Sequence, residues 1–371
     1  MAGSPLLRPT VGALTCVAAV GHVLYPAWLA ATSNGTSEQP PDPEEWPGVT
    51  VVVPAYLERG VIEAKVANLE DNGYPGPLEV VVVASDPETA EAAQATSARV
   101  IASEGRLAKP EALNRGVAAA SHPIVVLTDA NATFRPGAIA ALVRWFSIPG
   151  VDAVAGEKMI HGESEETFYW RFESWLKDRE WQKGSTIGVD GALVAVRASA
   201  YRPMPPETAI DDVWLALDIV ENGSRIAYDK RARVDEDPAP TNSVDWERRT
   251  RVVACTLDVL WRRRRLLRPG ATEVTTQLWG HRVVRSSFGP FAHLLLLALA
   301  TGSARRSRLA RLFLAGHAAA GMALVRTRSG AEATFVERLG AHVLYLQAVG
   351  LVGTARFLRG DGSAHWRKVA R

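Results

Sequence analysis

An aspartate closes the apolar run in VVLTDANATF, residues 125–134, and an asparagine follows two positions later. Asp129 at the end of a buried strand would border a ligand crevice. There, a carboxylate and a second oxygen donor, Asn131, can hold a divalent cation against a diphosphate. Carboxylates are hard oxygen ligands, and the cation offsets charge that develops on a leaving group. A lone strand-end aspartate is more often a turn or a cap, so the case rests on its company. Asp86 ends another apolar run, LEVVVVASD, and Lys109 and Asn114 stand in GRLAKPEALNRG. The glycine-rich segment GSTIGVDGALVAVR precedes Asp211 and Asp212, and DWERRTR brings together Arg248, Arg249 and Arg251. Planar guanidinium forks match phosphate oxygens, and a positioned carboxylate can accept a proton. Two other uses stay open. Acids at a helix start also serve as caps or dipole partners, and arginines also bind lipid headgroups.

The elements that must position these groups alternate. VTVVVPAY, LEVVVVASD and HPIVVLTDA read as fully buried strands, and VDAVAG as a fourth. Between them, PETAEAAQAT and KPEALNRGVAAA have helical spacing, so βαβ units and a mostly parallel sheet are expected. Ligands of such sheets sit beyond the carboxyl ends of the strands, which puts Tyr56, Asp86 and Asp129 on one rim. No G-x-G-x-x-G follows the first strand, which disfavours a dinucleotide-binding domain. DDVWLALDIVENG reads as a helix that stops at Gly223. FYWRFESWLKDREWQKG, residues 167–183, reads as a helix with two aromatic stripes: Phe168, Phe172 and Trp175 on one, Trp170 and Trp181 on the other. The second stripe could pack in the core or stack on a sugar ring.

Composition narrows the class. A net charge of +2 with 22% charged residues argues against a nucleic-acid binder and against a disordered tail. Cys16 and Cys255 are the two cysteines, too few for a disulfide framework. The run from 11 to 31 carries no charge and is long enough to span a bilayer. A cleaved signal peptide is the rival reading. Three more apolar runs, FGPFAHLLLLALATG, LARLFLAGHAAAGMALV and LGAHVLYLQAVGLVGTARFL, lie near the other end. Arg262 to Arg265 follow an amphipathic stretch that could lie among lipid headgroups or form a solvated basic face.

In order and spacing these segments resemble the family 2 glycosyltransferases, in particular the membrane-integrated branch with cellulose, hyaluronan and poly-N-acetylglucosamine synthases. The resemblance covers roughly residues 48 to 300. It implies a GT-A type, Rossmann-like α/β domain that binds a nucleotide sugar, with N- and C-terminal transmembrane helices. It puts Glu58, in VVVPAYLERG, near the nucleotide, Asp86 at the base and Lys109 beside the nucleotide. TDANATFRPGAI is similar to the D-x-D strand end, with Asp129 and Asn131 as metal ligands. IDDVW is similar to the motif whose final aspartate, Asp212, is the catalytic base. RRTRV stands where processive relatives carry Q-x-x-R-W, so Arg248 and Arg251 would meet the diphosphate.

Two departures qualify the resemblance. Asn131 is neutral, which implies a weaker site for Mg2+ or Mn2+ with the nucleotide supplying much of the affinity. Val252 replaces the motif tryptophan, which puts processive synthesis in doubt more than transfer itself. The implied protein is an inverting, membrane-bound hexosyl- or N-acetylhexosaminyltransferase that moves sugar from a nucleotide-sugar donor, a UDP-sugar by expectation, to a glycan or lipid-linked acceptor. Its partners include membrane lipids and no nucleic acid. A catalytically weak scaffold of a polysaccharide export machine is the alternative, and a secreted protein glycosylated at Asn34 a third reading.

The expected layout is a transmembrane helix over 1–31, a linker over 32–48, the transferase domain over 49–240, the arginine motif and interfacial helices over 241–282, membrane helices over 283–358 and a basic tail over 359–371. The plasma membrane with a cytoplasmic catalytic domain is the expected location. Three C-terminal spans would then leave the basic HWRKVAR outside, against the positive-inside tendency.

Overall fold

Long apolar runs become central strands because helices cover both faces of the sheet, so no polar alternation is needed. The computed structural model describes residues 7–33, 38–160, 165–237, 241–329 and 331–361. The Asn34–Thr36 triplet and the HWRKVAR tail lie outside these, as does the side chain of Phe168. Among the described residues the eight strands are β1 Val49–Ala55, β2 Leu78–Ala84, β3 Arg99–Ala102, β4 Ile124–Leu127, β5 Thr133–Phe134, β6 Val151–Ile160, β7 Val194–Arg197 and β8 Arg225–Glu236. They form one sheet in the order β3-β2-β1-β4-β7-β6-β8-β5.

The half from β3 to β4 is parallel, as the alternating pattern predicts. The chain runs from β1 outward to β2 and β3, then returns to place β4 on β1's other side. That reversal opens a crevice at the strand ends. The other half departs from the all-parallel expectation. β7 is antiparallel to β4, with Leu127 opposite Val194. The loop that enters β7 therefore lies on the same rim as the loop that leaves β4. VDAVAG extends to the ten-residue β6, whose register with β8 slips after Gly156. Beyond that bulge the two strands reach past the sheet and pair Ile160 with Glu236.

The expected helices form: Pro87–Gln94 and Lys109–Ala118, each with proline in its first turn, and Asp211–Glu221. The aromatic helix spans Glu165–Gln182. Trp170 and Trp181 do lie on one stripe, but with different surroundings. Trp181 is buried against Trp145 at 5.2 Å, edge to face, while Trp170 borders the cleft described below. The other stripe carries Phe172 and Trp175 onto Tyr25 and Leu29 of the N-terminal helix.

Among the described residues, four helices are long and apolar enough to cross a membrane: Arg8–Thr32, Thr275–Ser303, Arg308–Arg328 and Phe335–Leu358. The first packs on the second, and the last packs on the helix Asn242–Arg262. Leu309, Leu312, Met322, Val325 and Val336 all point outward, at 65–79% exposure. The arginine run is less free than its sequence suggests. Arg262 pairs with Asp258 at 2.8 Å, and Arg263 pairs with Asp218 at 2.8 Å and lies over Trp214. Two members of this run are thus tied to protein carboxylates rather than forming an open basic face.

A buried polar cluster joins these helices to the sheet domain. His281 faces Glu180 through Nδ1 at 2.7 Å and Glu173 through Nε2 at 3.0 Å. Arg285 pairs with Glu173, and Tyr25 donates to Glu180 at 2.7 Å. Glu180 also accepts from Thr186 Oγ1 at 2.9 Å. Burial alone would raise both carboxyls, but Arg285 and His281 hold Glu173 well below the usual carboxylate range, and His281 draws Glu180 down.

Candidate active site

A cleft of about 500 Å³ lies at the carboxyl ends of β1, β2 and β4. Its rim carries Tyr56 and Glu58 after β1, Ser85 after β2, and Asp129 and Asn131 after β4. Asp86 sits beside the rim and does not line it. Its Oδ1 caps Pro87–Gln94 by accepting from Thr89 N at 2.9 Å, and its Oδ2 accepts from Leu57 N at 2.7 Å. Leu57 is a non-glycine residue at φ +56°, an uncommon conformation that Asp86 holds in place. Asp86 thus shapes the turn bearing Tyr56 and Glu58. Asn114 also serves structure: its amide bonds Met204 O, Met204 N and the Tyr201 hydroxyl.

Lys109 stands at the centre. Its ammonium lies 2.7 Å from Asp129 Oδ1 and 3.0 Å from Asp211 Oδ2. Burial would lower its pKa, but these two carboxylates raise it well above the ordinary lysine value. Asp211 is therefore an ion-pair partner, not merely a helix-start acid. Gly191 makes room for this pair, since a Cβ there would lie 3.0 Å from Lys109 Nζ and 3.3 Å from Asp211 Oδ2. Beneath the Asp129–Asn131 turn, the buried Lys65 donates to Thr128 Oγ1 at 3.0 Å and to Ala132 O. Burial brings its pKa down to about 7.

Asp212 lines the same cleft in the first turn of Asp211–Glu221, and its Oδ1 accepts from Val213 N at 2.7 Å. Neighbouring cations would be expected to keep it ionised. The reverse holds: burial, then Asp211 and Asp190, push its pKa up to about 7 against the pull of Lys109 and Arg282. Arg248, Arg251 and Val252 border the cleft from Asn242–Arg262. Arg249 is held by Asp245 at 2.7 Å and lies over Tyr169 at 4.5 Å.

Several lining groups escaped the sequence reading. Asp190 enters on the β7 approach, with Oδ1 accepting from Ala192 N at 3.0 Å and Lys158 3.9 Å from Oδ2. Lys158 also pairs with Glu236, across the extended ends of β6 and β8. Lys177 and Arg282 complete the inner wall. The flanking glycines in GVDGA are the one local sign of Asp190, and Lys158 and Lys177 carry no local sign.

The geometry is a nucleotide-sized cleft with an Asp–Lys–Asp ion-pair chain and a high-pKa carboxyl beside it. No curated protein matches the chain. Among solved structures, the mannosyltransferase PcManGT from Pyrobaculum calidifontis, determined with GDP-Man and Mn2+, superposes with a TM-score of 0.76 at 23% identity, over 96% of this chain and 99% of that one. Glucosyl-3-phosphoglycerate synthase from Mycobacterium tuberculosis matches over 57% of this chain and 79% of its own, with 21% identity and a TM-score of 0.43. The model for "Glycosyl transferase family 2" matches residues 50–202. Residues 50–202 thus match a family 2 glycosyltransferase domain, within a GT-A fold that the chain shares with that mannosyltransferase.

Proposed function

We propose that the protein is a membrane-bound inverting glycosyltransferase that moves a hexosyl or N-acetylhexosaminyl group from a nucleoside diphosphate sugar to a glycan or lipid-linked acceptor. One observation carries this reading: Asp212, with its pKa near 7, lines the same cleft as the Lys109–Asp129 pair. The nucleoside would enter over the Tyr56–Glu58 turn that Asp86 braces, and the diphosphate would lie against Lys109. Arg248 and Arg251 would close on it, their planar donors matching phosphate oxygens. Asp212 would take the proton from the acceptor hydroxyl as that oxygen attacks the anomeric carbon and the nucleoside diphosphate departs.

The residues fit a divalent cation. Asp129 and Asn131 both line the cleft with side chains that carry a carboxylate and an amide oxygen, and Asp129 already accepts one cation, the Lys109 ammonium at 2.7 Å. Among the described residues there is no cluster of three His, Cys, Asp or Glu side chains suited to a metal. Such a pair would hold Mg2+ or Mn2+ only together with diphosphate oxygens, and the cation would there supply neutralisation of the leaving charge. Calorimetric titration of Mn2+ is expected to show clear binding with UDP or GDP present and much weaker binding without. Equal affinity in both cases would remove the shared site.

The outward-facing leucines, valines and methionine of the apolar helices support membrane insertion, since soluble proteins rarely expose such continuous apolar surface. The catalytic domain would face the cytoplasm at the plasma membrane. Carbonate washing is expected to leave the protein with the membranes. Release into the supernatant would mean that these helices pack against other protein. The function itself is tested by a screen of UDP- and GDP-sugars with protein in nanodiscs. Donor-dependent release of nucleoside diphosphate supports transferase activity, and silence across the panel favours a scaffold.

A further inference from the structure

The cleft does not end at Asp212. It continues to an inner wall built from the aromatic helix Glu165–Gln182 and from the apolar helices, which contribute Arg282, Leu346 and Val349. Three hydrogen-bond donors on this wall lack proper acceptors among the described residues. Lys177 is buried to all but 4%, with no hydrogen bond or ion pair, and its Nζ lies 5.8 Å from the Trp170 ring and 5.7 Å from the Tyr228 ring. Trp170 Nε1 is enclosed and unpartnered. Arg282 makes one long hydrogen bond, 3.4 Å to Ile187 O, and no direct ion pair, although its charge reaches Asp212 and Glu173.

The nearby acids are committed elsewhere. Glu236 pairs with Lys158, and Glu173 with Arg285 and His281. Asp190 is the acid that attracts Lys177, but it is already held by Ala192 N and faced by Lys158. The chain also makes deliberate room for the unpaired lysine. A Cβ at Gly188 would lie 2.7 Å from Lys177 Cγ, so only glycine lets the stem pass. Indole N–H, ammonium and guanidinium are all donors. An unpaired buried charge destabilises a fold, so the cluster makes sense as one half of a site that a ligand completes.

We propose that Lys177, Trp170 and Arg282 bind a phosphate or diphosphate group of the acceptor, and that this acceptor is an amphiphile whose apolar tail leaves along Leu346 and Val349. The inference rests on the transferase reading for the word acceptor, but the anion site stands on its own geometry. Burial lowers the Lys177 pKa, and an arriving phosphate would restore its full charge.

The test uses the full chain in neutral-detergent micelles, with farnesyl diphosphate, farnesol and inorganic diphosphate as probes and UDP and GDP as separate controls. Farnesyl diphosphate is expected to bind at least about tenfold tighter than either other probe, the scale of one charge-assisted hydrogen bond. Lys177→Met and Trp170→Phe should each lose about that factor while nucleotide binding holds. Lys177→Met should also raise the thermal midpoint of the ligand-free protein, because it replaces an unpaired cation by an apolar chain of similar shape. A lower midpoint would make Lys177 a structural residue and overturn the proposal. Farnesol binding as tightly as farnesyl diphosphate would overturn the anion site. Inorganic diphosphate binding as tightly would overturn the lipid source in favour of a soluble phosphorylated acceptor. Retained lipid-anion binding without any nucleotide binding would sink the transferase reading and leave this site intact.

Discussion

Asp212→Asn is expected to lower sugar transfer by about 10²–10⁴-fold, the range for losing a general base, with little change in nucleotide binding. The amide keeps the shape and the Val213 N–H bond but cannot take a proton. Lys109 and its partner Asp129 are untouched, so on the proposed reading donor affinity should hold. Asp129→Asn should behave differently, because it removes the 2.7 Å partner of Lys109 and, on the proposed reading, a metal ligand at once. Asp211→Asn should loosen Lys109 and raise the donor KM more than it lowers kcat. If Asp211→Asn abolishes turnover while Asp212→Asn leaves it near the parent rate, the base is the other carboxylate.

The raised pKa adds a second signature. Asp212 must be ionised to act as the base, so kcat/KM should climb with pH up to about 7. Stability should run the other way. The folded chain holds this proton more tightly than the unfolded chain does, where the ordinary value is 3.8. The resulting stabilisation is complete below 3.8 and is lost as pH rises through about 7. Asp212→Asn removes that loss, so the variant should gain on the parent in thermal midpoint above pH 7 and match it in acid. A variant no more stable than its parent at pH 8 would mean that the carboxyl is not strained.

The second large effect lies away from the chemistry. Glu180→Leu is expected to destabilise the protein by about 3–5 kcal/mol, as breaking a buried ion pair does. Glu180 is fully enclosed and receives Tyr25, Thr186 and His281. With leucine there, an imidazole between two carboxylates loses one of them, and two hydroxyls lose their acceptor. The thermal midpoint in detergent should drop by roughly 5–15 °C. Glu180→Gln keeps an acceptor and should fall between the two. Activity should suffer as well, because the Thr186 and Ile187 bonds anchor the loop that brings Asp190 and Gly191 to Lys109. Leu and Gln variants as stable as the parent would show that the cluster does not tie the apolar helices to the sheet.

The parallel half of the fold was legible because its strands are apolar end to end and its helices follow with regular spacing. Strand ends then located Tyr56 and Asp129 on one rim, by the rule that crevices open at carboxyl ends, while Glu58 came only with the family resemblance. Asp86 had the right address, but its carboxylate serves two backbone amides, and side-chain hydrogen bonding is not written in a motif. The arginine run 262–265 looked free because a run of like charges shows nothing of its distant partners, here Asp218 and Glu207.

The chain's local chemistry thus determined which residues are acids, bases and strands, and that four segments are apolar enough to leave water. Only tertiary structure decided how they meet. The antiparallel entry of β7 carries Asp190 and Gly191 to the rim of β4, and strand direction depends on pairing partners far apart in sequence. Long-range burial then set the protonation of Asp212, since the groups that raise it come from separate segments and the desolvation comes from all of them. The unpaired Lys177 is the extreme case: its stem needs a gap at Gly188, eleven positions away, and its lack of a partner is a property of the whole enclosure.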